Sequence, residues 1–282
     1  MSTRHKRLDG RANDEMRPIS IVYEALDRVD GSAKFGFGQT VSLASLSGPL
    51  EVRTALESPS HATLEISVRP LASLPGTNSR ALATTLKAVL GPSLLLTHHP
   101  RTLVQIVGQA LCGSDSGGGL GGTGRGWNAS LVASLVNACS AALINAGSVP
   151  MKGVVCAVAV GRLSDGPGVH AMVLDPSEAE LPALVGGGCF VFMFSSVLPH
   201  AEETADVTHA ALLWTNYTAT SGVFEDSEFA EAQELALEGA GRIWRTFKDS
   251  ISKHGVQEVE KTKAEKPSRQ SSPEIDDDKM EI

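Results

Sequence analysis

Four groups of side chains in this sequence have the types and spacing for phosphate chemistry. The first is a glycine-rich segment at residues 113–126, GSDSGGGLGGTGRG, in which Gly117, Gly119 and Gly122 satisfy G-x-G-x-x-G ahead of a helical stretch. Backbone amides at a helix N-terminus bind phosphate. No βαβ pattern surrounds the segment and no Lys-Ser/Thr pair completes a phosphate loop, so its default reading is a flexible insertion. The second group is Asp175, Glu178 and Glu180 around Pro176. Two carboxylates at a strand end can hold Mg²⁺ against phosphates, although solvated turn acids are the plainer reading. The third is Arg80 and Arg101, each at an element boundary, where a guanidinium can grip phosphate with two parallel bonds or simply be solvated. The fourth, His98-His99, reads as a pair complementing a helix C-terminus. No serine or cysteine lies in a nucleophile motif, and no residues are spaced as a metal-ligand set.

The elements that must position these groups follow from periodicity. Residues 19–71 read as strands, with turns at Asp30-Gly31 and Gly38-Gln39 and a stop at Gly48-Pro49. Leu82, Leu86, Val89 and Leu90 fall on one face of a first helix, with Ser79 as a candidate N-cap and Gly91-Pro92 as its end. Residues 102–111 return as a strand. After the glycine segment comes an uncharged helix of about 20 residues bounded by Gly147 and Pro150, which fits a central core helix better than a membrane span. A hairpin turns at Ser164-Asp165-Gly166, and two strands follow near 189–197 and 209–219. Phe229, Ala232, Ala236, Ala240, Ile243, Phe247 and Ile251 then give a last helix over 226–254 a continuous apolar stripe. Runs of strand with segregated helices indicate an α+β fold.

Charge and cysteine content narrow the function classes. A formal net charge of −8 argues against a strongly basic nucleic-acid binder, leaving the N-terminal run Arg4, Lys6, Arg7, Arg11 and Arg17 as a local excess. Four cysteines without ligand spacing, three of them in apolar runs, suggest a reduced intracellular chain. The start has no apolar h-region, so secretion is not expected. The organisation expected is a basic N-terminal segment over 1–18, a folded domain over 19–254, and an acidic tail over 255–282. That tail carries eight acids against five bases, too little apolar surface to order itself.

Several motifs, in order, resemble the RNase PH-like family. They are Leu8-Asp9-Gly10-Arg11 with Arg17-Pro18-Ile19; Asp30-Gly31-Ser32-Ala33; Gly38-Gln39-Thr40; Ser47 to Glu51; Leu64 to Pro70; Pro100-Arg101-Thr102; Asn137 to Met151; and Leu174-Asp175-Pro176-Ser177. The likeness spans residues 8 to 254 and implies a mixed sheet packed with helices, of the type also called ribosomal protein S5 domain 2-like. It implies phosphorolysis, in which inorganic phosphate attacks the 3′-terminal linkage of RNA. Active members use a first-helix arginine, a Gly-Thr-Arg turn before the central helix, and two aspartates.

Carried over residue by residue, Arg80 matches the first-helix arginine. Gly122-Thr123-Gly124-Arg125-Gly126-Trp127 replaces the compact turn, with Trp127 where the arginine would enter the helix. Asp175 is one acid, and Gly188-Cys189 stand where the second is expected. The resemblance therefore implies a catalytically inert ring subunit of the eukaryotic RNA exosome, with no catalytic residue, no cofactor and no metal. Arg80, Arg101 and Arg125 are its candidate RNA phosphate contacts. Implied partners are other RNase PH-like subunits in a hexameric ring, S1/KH-type cap subunits, associated nucleases and single-stranded RNA, with no membrane. The implied setting is nucleus and nucleolus, and also cytoplasm. The alternative is an active phosphate-dependent 3′–5′ exoribonuclease using Arg80, Arg125 and Asp175.

Overall fold

Period-2 alternation in the first third of the chain builds one sheet. It comprises β1 (Ile19–Tyr23), β2 (Gly31–Phe37), β3 (Thr40–Glu51), β4 (Thr63–Arg69) and β5 (Thr102–Ala110), in the order β1-β2-β3-β5-β4. The computed structural model describes residues 7, 9–24, 26–72, 74–112, 128–166, 169–195, 210–219 and 225–264. Neighbours are antiparallel except β4 and β5, whose parallel register needs the crossover that α1 (Thr77–Leu90) supplies. Leu82, Leu86, Val89 and Leu90 are its buried face, as the spacing predicts.

A second sheet holds β6 (Val154–Gly166), β7 (Val169–Leu174), β8 (Leu184–Phe194), β9 (Ala210–Thr215) and β10 (Thr218–Ala219). β6 lies between β7 and β8, while β9 and β10 share the far edge of β8. Two helices, α2 (Ala129–Ala146) and α3 (Asp226–Ala264), each touch strands of both sheets and form the layer between them. The α+β architecture with mixed sheet and packed helices is thus the one expected.

An absence of charge from Ala129 to Ala146 is what allows α2 to be buried on every side through Leu143. Its buried polar side chains, Ser130, Ser134, Asn137 and Ser140, form one stripe, and each bonds to a backbone. Ser134 Oγ donates to the Phe35 carbonyl (3.0 Å) and Ser140 Oγ to the Val155 carbonyl (2.7 Å). The Asn137 amide donates to the Ala157 carbonyl and accepts from the Ala157 N–H, both at 2.8 Å. β7 pairs β6 only from Val160 onward, so Val155 and Ala157 have an open edge that these side chains close. Asn128 caps the helix start through the Ser130 N–H, and Gly147 ends it at φ +61°.

Several boundaries differ from expectation. Gly48-Pro49 does not stop β3; a bulge between Ser47 and Leu50 lifts the proline out of the ladder, and pairing with β5 resumes to Glu51. Asp30-Gly31 is a packing device as much as a turn. Asp30 accepts the Gly48 N–H at 2.7 Å, and a Cβ on Gly31 would lie 2.5 Å from the Ala142 carbonyl oxygen. Ser79 is not the α1 cap, because the helix starts at Thr77 and buries Ser79 in its first turn. β8 begins at Leu184, earlier than the expected 189. The last helix runs to Ala264, ten residues past its expected end at 254; Gln257, Glu258, Glu260, Lys261 and Lys263 are good helix formers that outweigh Gly255. Residues 265–282 of the expected tail lie outside the described residues.

Candidate functional site

The start of α2 meets the turn that follows β7, and Asp175 sits between them with no exposed surface. Its backbone holds φ +47°, fixed by its N–H bond to the Ala159 carbonyl at 2.8 Å. Arg17 closes on the carboxylate as a fork: Nε donates to Oδ2 at 2.8 Å and Nη2 to Oδ1 at 2.6 Å. The Arg17 backbone N–H adds a third bond to Oδ2 at 3.0 Å, and Ser130 Oγ, in the first turn of α2, donates to Oδ1 at 3.3 Å. Arg17 also donates to Thr40 Oγ1 at 2.8 Å. The pair therefore ties the β2–β3 hairpin to the β7 turn and to the head of α2.

Glu180 is held in the same way. Arg7, itself buried, donates from Nε and Nη2 to the two carboxylate oxygens, each at 2.8 Å. Its remaining N–H groups reach the carbonyls of Leu174 (2.9 Å), Asp175 (3.0 Å) and Glu15 (3.1 Å). Burial alone would raise the Glu180 pKa, but the Arg7 bonds, together with the Ser177 N–H and hydroxyl, lower it to about 2. Arg11 lies between the two acids, 3.8 Å from Asp175 Oδ2 and 3.9 Å from Glu180 Oε2, and donates to Asp9 at 2.6 Å.

These contacts overturn two expectations. Asp175 and Glu180 are not solvated turn acids but buried, hydrogen-bonded ions; only Glu178 of the three is exposed. Nor are Arg7, Arg11 and Arg17 a loose local excess of charge, since each is engaged in ion pairs of the domain, while Arg4 and Lys6 lie outside the described residues. Asp175 has its lone pairs filled by arginine and serine donors, so it does not fit a Mg²⁺ ligand in this arrangement. Among the described residues no group of three or more His, Cys, Asp or Glu is arranged to hold a metal ion.

Arg80 and Arg101 are not brought together. Arg80 is exposed in the first turn of α1, which is entered from the end of β4 where Arg69 faces Gln109. Arg101 precedes β5 at its opposite end, a strand of nine residues or about 30 Å away. It is 70% exposed, adopts φ +61°, and pairs with Glu57 at 3.4 Å. The two cannot grip one phosphate. His98 ends a short 3-10 turn, Leu96–His98, and His99 follows it, so the pair does not lie at the end of an α-helix. Arg125 and Trp127, with the rest of the glycine-rich segment, lie outside the described residues.

Gly188 and Cys189 explain themselves by packing. A Cβ on Gly188 would lie 2.6 Å from the Tyr217 Cα and 2.7 Å from its nitrogen, so the Asn216-Tyr217 turn occupies the space a side chain would need. The Cys189 N–H donates to Asn216 Oδ1 at 2.7 Å, locking that turn in place. Cys139, Cys156 and Cys189 are buried, and burial raises each thiol pKa, that of Cys139 to about 12, which removes them as nucleophiles.

Sequence reasoning missed Arg7, Arg17 and Ser130 as parts of this site. In the sequence Arg7 reads as part of a local excess of charge, Arg17 as that and as part of the family-like opening motif, and Ser130 as polarity in an apolar helix. The available signal was the stripe Ser130, Ser134, Asn137, Ser140, whose helical spacing puts all four on one face with work to do.

Comparison with known proteins follows the same lines. A family model described as "3' exoribonuclease family, domain 1" matches residues 15–148. The rice (Oryza sativa subsp. japonica) protein named "Exosome complex exonuclease RRP46 homolog" is 29% identical over 253 residues, covering 90% of this chain and 98% of the relative. "Exosome complex component Rrp41" of Archaeoglobus fulgidus is 30% identical over 267 residues, covering 89% of this chain and 88% of the relative. The crystal structure of rice Rrp46 superposes with a TM-score of 0.67 at 28% identity, over 87% of this chain and all of that one. With matches of this extent, and the fold they share, the chain belongs to the 3′ exoribonuclease family of RNase PH.

Proposed function

We propose that this chain is a non-catalytic structural subunit of an exosome core ring, occupying the place of the RRP46 homologs. The observation that carries the reading is the capture of Asp175 by Arg17. Phosphorolysis needs charge stabilisation and positioning at the reacting phosphate. Here the one carried-over acid already serves a buried ion pair, and the second position is closed by the Asn216-Tyr217 turn.

In this role the chain supports 3′-to-5′ RNA processing and turnover, including ribosomal RNA maturation, by burying surface against other RNase PH-like subunits. S1/KH-type caps and associated nucleases complete the assembly, in nucleus, nucleolus and cytoplasm. Exposed Arg80 and Arg101, with Arg125, offer phosphate contacts to single-stranded RNA that are independent of sequence and weakened by salt.

The word exonuclease in the rice relative's name favours a second reading, an active phosphorolytic enzyme using Arg80, Arg125 and Asp175. It requires Asp175 to leave Arg17, which nothing in the site drives. Co-expression of the tagged full-length chain with candidate RNase PH-like subunits tests the structural role. Near-equal recovery of those subunits is the expected result; a chain that purifies alone in every combination overturns it.

A further inference from the structure

Asp175 and Glu180 are two buried carboxylates five residues apart on the turn after β7, and buried carboxylates ordinarily call for a counter-charge. This chain solves the charge problem internally. Arg11 is within 4 Å of both Asp175 and Glu180, while Arg17 and Arg7 each chelate one of them with two parallel hydrogen bonds.

We propose that Arg7, Arg11 and Arg17 stand where a divalent cation would bridge Asp175 and Glu180, so that the N-terminal segment neutralises the turn and leaves it closed to metal. The charges balance locally. Three guanidinium groups meet three carboxylates, Asp9, Asp175 and Glu180. A hard cation entering here would need to displace the donors on Asp175, strip its own water, and leave a buried guanidinium without a partner.

The segment is anchored well beyond the carboxylates. The Leu174 N–H donates to the Asn13 carbonyl at 2.7 Å, and the Gly38 N–H donates to the Pro18 carbonyl at 2.8 Å. Arg242 of α3 donates to the Asp14 carbonyl at 2.6 Å. Both sheets and α3 therefore hold the guanidinium groups in place, and their orientation is fixed before any ion could arrive.

The inference deepens the non-catalytic reading, yet cation uptake is scored apart from RNA phosphorolysis, so either can fail alone. Mn²⁺ titration of the full-length chain, followed by electron paramagnetic resonance, is the direct test. The wild-type chain and Asp175→Asn should bind Mn²⁺ alike, because the turn contributes no site. Arg17→Gln should melt about 10 °C lower, gain Mn²⁺ binding, and recover part of its melting temperature with Mn²⁺. Adding Asp175→Asn to that variant should abolish the gain. Arg11→Gln removes the bridging charge while keeping both chelated pairs, and should gain Mn²⁺ binding that Glu180→Gln removes; it serves if Arg17→Gln fails to fold. Wild-type Mn²⁺ binding that Asp175→Asn abolishes overturns the proposal, as does the absence of any gain in both arginine variants.

Discussion

Arg17 and Asp175 lie 158 positions apart in sequence, yet they form a two-pronged ion pair at 2.8 and 2.6 Å, and Ser130 at the head of the central helix shares the same carboxylate. One carboxylate thus joins the N-terminal segment, the turn after β7 and the start of α2. Removing either charge strands the other in a buried setting, which costs about 3–5 kcal/mol. Asp175→Asn and Arg17→Gln should each lower the unfolding free energy, read from urea denaturation, by that amount. The double variant should be destabilised by clearly less than the sum, as a double-mutant cycle on contacting residues requires.

Acid should weaken the clamp through Glu180. Its folded-state pKa is lowered to about 2, below the unfolded value near 4.3. Between these values the unfolded chain binds the extra proton, so stability falls as pH falls. The contribution is full above about pH 5 and is lost toward pH 2. Urea unfolding followed from pH 6 to pH 2.5 should show this slope, and Glu180→Gln should flatten that part of it.

Asn137 satisfies both backbone groups of Ala157 on the edge of β6 that β7 leaves open. Asn137→Ala leaves a buried donor and a buried acceptor without partners, at roughly 1–3 kcal/mol each. Thermal denaturation should register a large loss, whereas Thr84→Ala, on an exposed face of α1, should change little.

Restoring an acid at Gly188 should not restore a site. Gly188→Asp drives a side chain into the Tyr217 backbone, and even Gly188→Ala should cost about 2 kcal/mol or more by overpacking. Circular dichroism melts of the alanine variant check this. An aspartate variant that folds like the wild type would show that the Asn216-Tyr217 turn yields easily.

Much of the fold was legible because local patterns and global packing agree. The alternating strands, the apolar face Leu82, Leu86, Val89 and Leu90, and the charge-free α2 each state their own burial. Turn residues misled where packing overrode them: Gly31 has no room for a Cβ, and Pro49 sits on a bulge inside a continuing strand. The site was the least legible part. Asp175 looks like an exposed turn acid because its neighbours are Pro176, Ser177 and Glu178, and nothing local discloses an arginine arriving from the other end of the chain. Periodicity reports which face is buried, not which distant charge meets it.

The proposed function holds that this member of the 3′ exoribonuclease family does not cut RNA. Purified full-length chain should be incubated with end-labelled single-stranded RNA, inorganic phosphate and Mg²⁺, and the products scored for nucleoside diphosphates. The account predicts intact RNA and no diphosphate release at any phosphate concentration. Phosphate-dependent shortening from the 3′ end, lost in an Asp175→Asn variant that remains folded, would contradict it.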